Sequence, residues 1–182
     1  MKYFYDTEFI EDGKTIDLIS IGVVCENGLR FYAQNAECDF NEASPWVQDN
    51  VFPHLLEFDM EAYKPNVPTT MNAPWYNHSE IGVALQRFIQ TCQASNPDSK
   101  VEFWGYYADY DHVALCQLFG TMMDLPKGWP MWTRDIKQLC DSLGDPKLPE
   151  QGKGEHHALA DAKWNKRVYE FLESREFLSA KS

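Results

Sequence analysis

The chain has 182 residues, with 28 acidic side chains against 16 basic ones and a formal net charge of −12. Hydrophobic residues at 44% and aromatics at 14% exclude a mostly disordered chain and are enough for one core. The acidity excludes binding to long duplex nucleic acid along an extended basic groove, and apolar runs of strand length exclude a membrane span of about 20 residues. The five cysteines (Cys25, Cys38, Cys92, Cys116, Cys140) are widely spaced with no Cys-x-x-Cys pair, as expected of reduced thiols in a cytoplasmic protein. Met1-Lys2-Tyr3-Phe4 runs straight into Asp6, which argues against a signal peptide.

Residues 2–7 alternate and are rich in Tyr and Phe, predicting a strand that ends at an acidic pair. Ile16 to Cys25 is a second, β-branched run, and Asn27-Gly28 turns the chain into a third strand over Leu29 to Ala33. This opening predicts an antiparallel meander. Residues 35–78 carry scattered prolines and aromatics and remain unassigned, apart from a short helix over Glu42 to Asn50. Ser79 is placed as the cap of a helix to Gln93, with Ile81, Leu85, Phe88 and Ile89 at helical spacing. Val101 to Tyr106 predicts a fourth strand, followed by a helix through Val113, Leu115 and Leu118. Met131-Trp132-Thr133 predicts a fifth strand, and Arg134 to Leu143 a helix stopped by Gly144 and Pro146. Leu148 to Glu155 reads as a flexible loop, and His157 to Glu173 as a long final helix. Strands first, then helices alternating with strands, predict an α/β fold: a mixed five-stranded sheet flanked by helices. The expected organisation is one domain over residues 1–178 and a short tail at 179–182.

Three segments carry the candidate chemistry. Asp6 and Glu8 are two apart, so both face one side of a strand. Asp111 lies in Tyr110-Asp111-His112-Val113-Ala114-Leu115, and His156 precedes Asp161 by five residues where a Gly-rich loop meets the last helix. Carboxylates from distant segments are what a pair of Mg²⁺ ions needs, and a histidine of ordinary pKa near 6.5 suits a base at neutral pH. Each signal has a plainer reading. Asp-x-Glu is common on solvated edge strands, Asp109 or Asp111 would serve as a helix cap, and a lone histidine is more often on the surface. His157 is the alternative to His156 on the same loop.

Taken in order, Asp6-x-Glu8, Tyr110-Asp111-x-x-x-Leu115 and His156-x-x-x-x-Asp161 resemble the DEDD superfamily of 3′→5′ exonucleases, in its histidine-bearing branch. Phe4 to Gly13, Leu18 to Val24 and Asp111 to Leu118 look like the polyadenylate-specific 3′-exoribonuclease AS group. The resemblance implies a ribonuclease-H-like fold, two Mg²⁺ (or Mn²⁺) ions, and stepwise release of mononucleotides from single-stranded 3′ ends. On it, Asp6 bridges the ions, Glu8, Asp111 and Asp161 complete their shells, and His156 is the general base. A homodimer and a preference for RNA, with adenylate-rich 3′ ends favoured, also come from the resemblance alone. Two divalent ions would bring the charge to about −8. Phe9, just after the acidic pair, is the one candidate for substrate contact, because single-strand enzymes stack bases on aromatics. Trp46, Trp75, Trp104, Tyr106 and Tyr107 are mostly expected in the core. The rival readings are a 3′→5′ exodeoxyribonuclease with the same site and an inactive relative that only binds nucleic acid.

Overall fold

A computed structural model describes residues 1–55, 75–152 and 154–179. β1 (Lys2–Glu11), β2 (Ile16–Cys25) and β3 (Arg30–Asn35) form the expected antiparallel meander. Gly28 closes its second turn at φ +92°, a left-handed conformation that favours glycine. α1 (Pro45–Asn50) follows, begun by Ser44, whose hydroxyl accepts from Val47 N at 3.3 Å. Then come β4 (Trp75–Tyr76), α2 (His78–Gln93), β5 (Glu102–Gly105), α3 (Asp109–Gln117), β6 (Arg134–Asp135), α4 (Ile136–Ser142) and α5 (Ala158–Ser179). Among the described residues the sheet runs β4-β3-β2-β1-β5-β6, with β5 parallel to both β1 and β6.

This is the mixed α/β architecture of the ribonuclease-H-like type, with one strand more than the sequence predicts. The extra strand is the Trp75–Tyr76 pair beside β3, too short to leave a pattern in the sequence. The strand expected at Met131–Thr133 forms instead at Arg134–Asp135, opposite Trp104 and Gly105, and Trp132 stays exposed. α4 consequently starts later than expected, because Asp135 Oδ1 accepts from Gln138 N at 3.0 Å and caps it. α2 is capped by Asn77, not Ser79. Asn77 Oδ1 accepts from Glu80 N, and Glu80 Oε2 accepts from Asn77 N, each at 2.9 Å. α5 continues to Ser179. Residues 180–182 of the expected tail, and 56–74 of the unassigned stretch, lie outside the described residues.

The two faces of the sheet carry separate apolar layers. Tyr3, Tyr5, Ile21, Val23 and Phe103 pack against α2 and α3 through Ile81, Leu85, Ile89 and Leu115. Phe4 and Trp104 pack on the other face against α4 and α5 through Ile136, Val168, Tyr169 and Leu172. Each such large side chain contributes roughly 1.5–3 kcal/mol by leaving water. Odd and even positions of β1 therefore look into different layers. No helix among the described residues is long and apolar enough to cross a membrane.

Candidate active site

Phe4 faces α5, so its strand alternation aims Asp6 and Glu8 the same way, while Thr7 faces α3. The β1–β2 register slips between Glu8 and Phe9: Glu8 opposes Ser20, Phe9 opposes Leu18, and Ile19 is left unpaired. Such a bulge re-aims side chains, and here it leaves Phe9 on the wall of the cavity that Glu8 lines. Gly22, the cross-strand neighbour of Asp6, lets the start of α5 press onto the sheet. A Cβ at Gly22 would lie 2.3 Å from Leu159 N and 2.4 Å from the carbonyl of Ala158. Asn165, buried on α5, donates its side-chain amide to Tyr5 O at 2.9 Å and ties the helix to β1 beside Asp6.

This docking brings Asp161, on the first turn of α5, to the acidic pair. Carboxylate oxygens of Asp6, Glu8 and Asp161 all lie within 4.8 Å of one another. Asp161 Oδ2 accepts from His156 N at 3.0 Å, and its Oδ1 accepts from the Gln151 side chain. Asp111 comes from the opposite layer, on α3. Its Oδ1 accepts from both Thr7 N and Thr7 Oγ1 at 2.7 Å, which ties it to β1 next to Asp6 and outside the close trio. His156 takes φ +66° on the loop before α5 and lines the same open cavity of about 420 Å³ as Asp6, Glu8, Phe9, Trp46 and Asp161. His157 is turned elsewhere. Its ring stacks on Tyr32 at 4.7 Å, and its Nδ1 accepts from Leu159 N at 3.2 Å.

The cluster is electrostatically unfavourable without a cation. Burial raises the Asp6 carboxyl well above the usual range, and the charges of Asp111, Glu8 and Asp161 add to it. Burial, then Asp161 and Asp111, pushes Glu8 up to about 8. Burial also brings Asp111 to about 6 against the pull of the Thr7 hydrogen bonds, and Asp161 to about 6. Four acids that resist ionising, all oxygen donors, are the donor chemistry that a hard divalent ion such as Mg²⁺ or Mn²⁺ fits.

Several positioning residues were invisible in the sequence pattern. Asp135 Oδ2 accepts from Ala108 N at 2.9 Å, which anchors the entry to the helix bearing Asp111. Trp46 was expected with core aromatics. It is instead 55% exposed, its ring edge-on to the His156 imidazole at 4.9 Å. Trp75 and Trp104 are buried as expected, while Tyr107 is exposed. Phe9 meets Tyr110 edge to face at 5.9 Å. Gly22 did leave a signal, a glycine inside a β-branched run, which marks a close backbone approach.

Two curated relatives match this chain over nearly its whole length. They are named 3′-5′ exoribonuclease Rv2179c and 3′-5′ exoribonuclease MT2234.1, from two strains of Mycobacterium tuberculosis. Each is 40% identical over 176 residues, covering 97% of this chain and 95% of the relative. The family model described as the 3′-5′ exoribonuclease Rv2179c-like domain matches residues 1–172, and the chain belongs to that family.

Proposed function

We propose that this protein is a divalent-metal-dependent 3′→5′ exoribonuclease that shortens single-stranded RNA one nucleotide at a time, with adenylate-rich 3′ ends as its preferred substrate. Family membership supports an exoribonuclease. The observation that carries the metal-dependent chemistry is the meeting of Asp6, Glu8 and Asp161 oxygens within 4.8 Å, beside His156 in one open cavity. Asp6, Glu8 and Asp161 would hold the ions together with Asp111, which reaches Asp6 from the α3 side of the sheet. When bound, two divalent ions supply Lewis-acid stabilisation of the charge that builds on the phosphate and on the departing 3′ oxygen.

The protein's own groups do the rest. His156 accepts the proton of the water that attacks phosphorus, and its backbone bond to Asp161 keeps the ring beside the acids. The P–O3′ bond breaks, a nucleoside 5′-monophosphate leaves, and the shortened strand keeps a free 3′ hydroxyl. Trp46 and Phe9 flank the cavity and hold the terminal base by stacking, which suits purines because of their larger ring face. All five cysteines are free and buried, which fits a cytoplasmic enzyme; a homodimer completes the proposal on resemblance.

The test is a time course on matched single-stranded RNA, poly(A) and single-stranded DNA with Mg²⁺. Loss of RNA fastest on poly(A) supports the proposal in full. Equal rates on mixed-sequence RNA remove the base preference, and hydrolysis of DNA alone replaces the substrate while keeping the site.

A further inference from the structure

Leu148 to Glu155 has the composition of a flexible loop, yet its first residues are pinned. Leu148 packs against the layer of Phe4 and Trp104. Pro149 O accepts from Trp164 Nε1 on α5 at 2.9 Å, and Glu150 O accepts from the Arg167 guanidinium. Gln151 comes next, ahead of Gly152 and Gly154 and the turn that ends at His156. Its half-buried side chain donates an amide N–H to Asp161 Oδ1, on the first turn of α5. His156 N donates to the other oxygen, Oδ2, at 3.0 Å.

These two bonds fix which way the Asp161 carboxylate points, since turning it about χ2 breaks both. They leave room for an ion, because an ionised carboxylate offers about four lone-pair sites and the two donors occupy half of them. An Asp161 oxygen lies within 4.8 Å of oxygens of both Asp6 and Glu8. The Gln151 donor is also neutral. A lysine or arginine in its place would orient the acid too, but its charge would oppose a cation a few ångströms away. Anchoring the loop does not account for the amide, because Leu148, Pro149 and Glu150 hold the chain up to Gln151 without it.

We propose that Gln151 is a positioning residue for metal binding: its side-chain amide holds the Asp161 carboxylate in the orientation that lets it bind a divalent ion together with Asp6 and Glu8. The inference rests on the metal-dependent exoribonuclease reading of the site and deepens it. A donor behind a ligating carboxylate sets the direction of its remaining lone pairs, and losing such a donor typically costs about 10–100-fold in metal affinity or activity.

The experiment compares wild type, Gln151→Met and Gln151→Ala. Mn²⁺ binding is followed by loss of the free-ion EPR signal, and the Mg²⁺ dependence of RNA hydrolysis is measured alongside. Methionine keeps the length and volume of the side chain and removes the donor. A urea melt in EDTA checks the fold and is expected to move little, since the loop keeps its other anchors. The Kd for Mn²⁺ should rise about 10–100-fold in both variants alike, and the Mg²⁺ concentration giving half-maximal rate should rise with it. A packing role would leave Gln151→Met like wild type and shift the metal-free melt of Gln151→Ala instead. Unchanged Mn²⁺ binding in Gln151→Met overturns the inference, and so does tighter binding, which would make the amide a competitor of the ion. Either result leaves the exoribonuclease reading intact, because wild type still binds the ion and degrades RNA. Wild-type protein that binds no Mn²⁺ overturns both.

Discussion

Gly22→Ala is the smallest change that tests how the site is assembled. The new methyl would stand 2.3 Å from Leu159 N and 2.4 Å from the Ala158 carbonyl, where ordinary contact begins near 3.4 Å. The neighbours are backbone atoms at the start of a helix, so no rotamer change relieves the overlap. The first turn of α5 has to retreat by about 1 Å from the sheet, or β2 has to bend by as much. His156 and Asp161 travel with that turn, while Asp6 and Glu8 stay on β1. Overpacking of this kind costs roughly 1–3 kcal/mol of stability, and a misplacement of about 1 Å at a reacting centre costs on the order of 10²-fold in rate. The assays are a urea melt and kcat/KM on a labelled RNA oligomer. The reasoning predicts a folded protein with both losses, the rate loss exceeding what the unfolded fraction explains. Wild-type kcat/KM in this variant would refute the claim that close approach at Gly22 sets the site.

The remaining predictions concern charge, chemistry and binding. Glu8 has a folded pKa of about 8 against an ordinary 4.5, so its ionisation opposes folding. The penalty is absent below pH 4.5, grows as pH rises to about 8, and is constant above. Between pH 5 and 8 the Glu8 share of the stability lost by metal-free protein in a chelator is on the order of 3 kcal/mol, with Asp6, Asp111 and Asp161 adding to it. Glu8→Gln should therefore lose less than wild type by about that amount; equal losses by urea denaturation would contradict this. A divalent ion at about 100 times its Kd should return about 2.7 kcal/mol at pH 8 in wild type, seen as a higher urea midpoint. Asp6→Ala and Asp161→Ala should abolish Mg²⁺-dependent hydrolysis yet fold stably, and His156→Ala should lower kcat by about 10²–10⁴-fold, measured by single-turnover quench. If His157→Ala does that damage instead, the base is misassigned. Trp46→Ala should raise KM by roughly tenfold with little effect on Tm, since one base stack contributes about 1–3 kcal/mol.

Where pattern and physics coincide, the sequence was readable. Alternation through Tyr3, Tyr5 and Thr7 and the Asn27-Gly28 turn specify the meander, and two-residue spacing puts Asp6 and Glu8 on one face. The fifth residue after His156 lands on the first turn of α5, which is why Asp161 reaches them. Other features depend on contacts between distant segments. Asn77-His78-Ser79-Glu80 offers two caps, and only the return bond from Glu80 decides for Asn77. Asp135 reads as a helix start, yet its second oxygen holds Ala108, 27 residues away. Trp46 has the composition of a core residue and the position of a surface one, because Pro45 and Ser44 begin α1 at the rim of the cavity.

The most direct test of a metal-dependent 3′→5′ exoribonuclease uses one 5′-labelled single-stranded RNA, incubated with the protein in Mg²⁺ and in EDTA. The account predicts a ladder that descends one nucleotide at a time in Mg²⁺, nothing in EDTA, and nothing with Asp161→Ala under either condition. Immediate release of the labelled mononucleotide, internal cuts, or a ladder that persists in EDTA would contradict it.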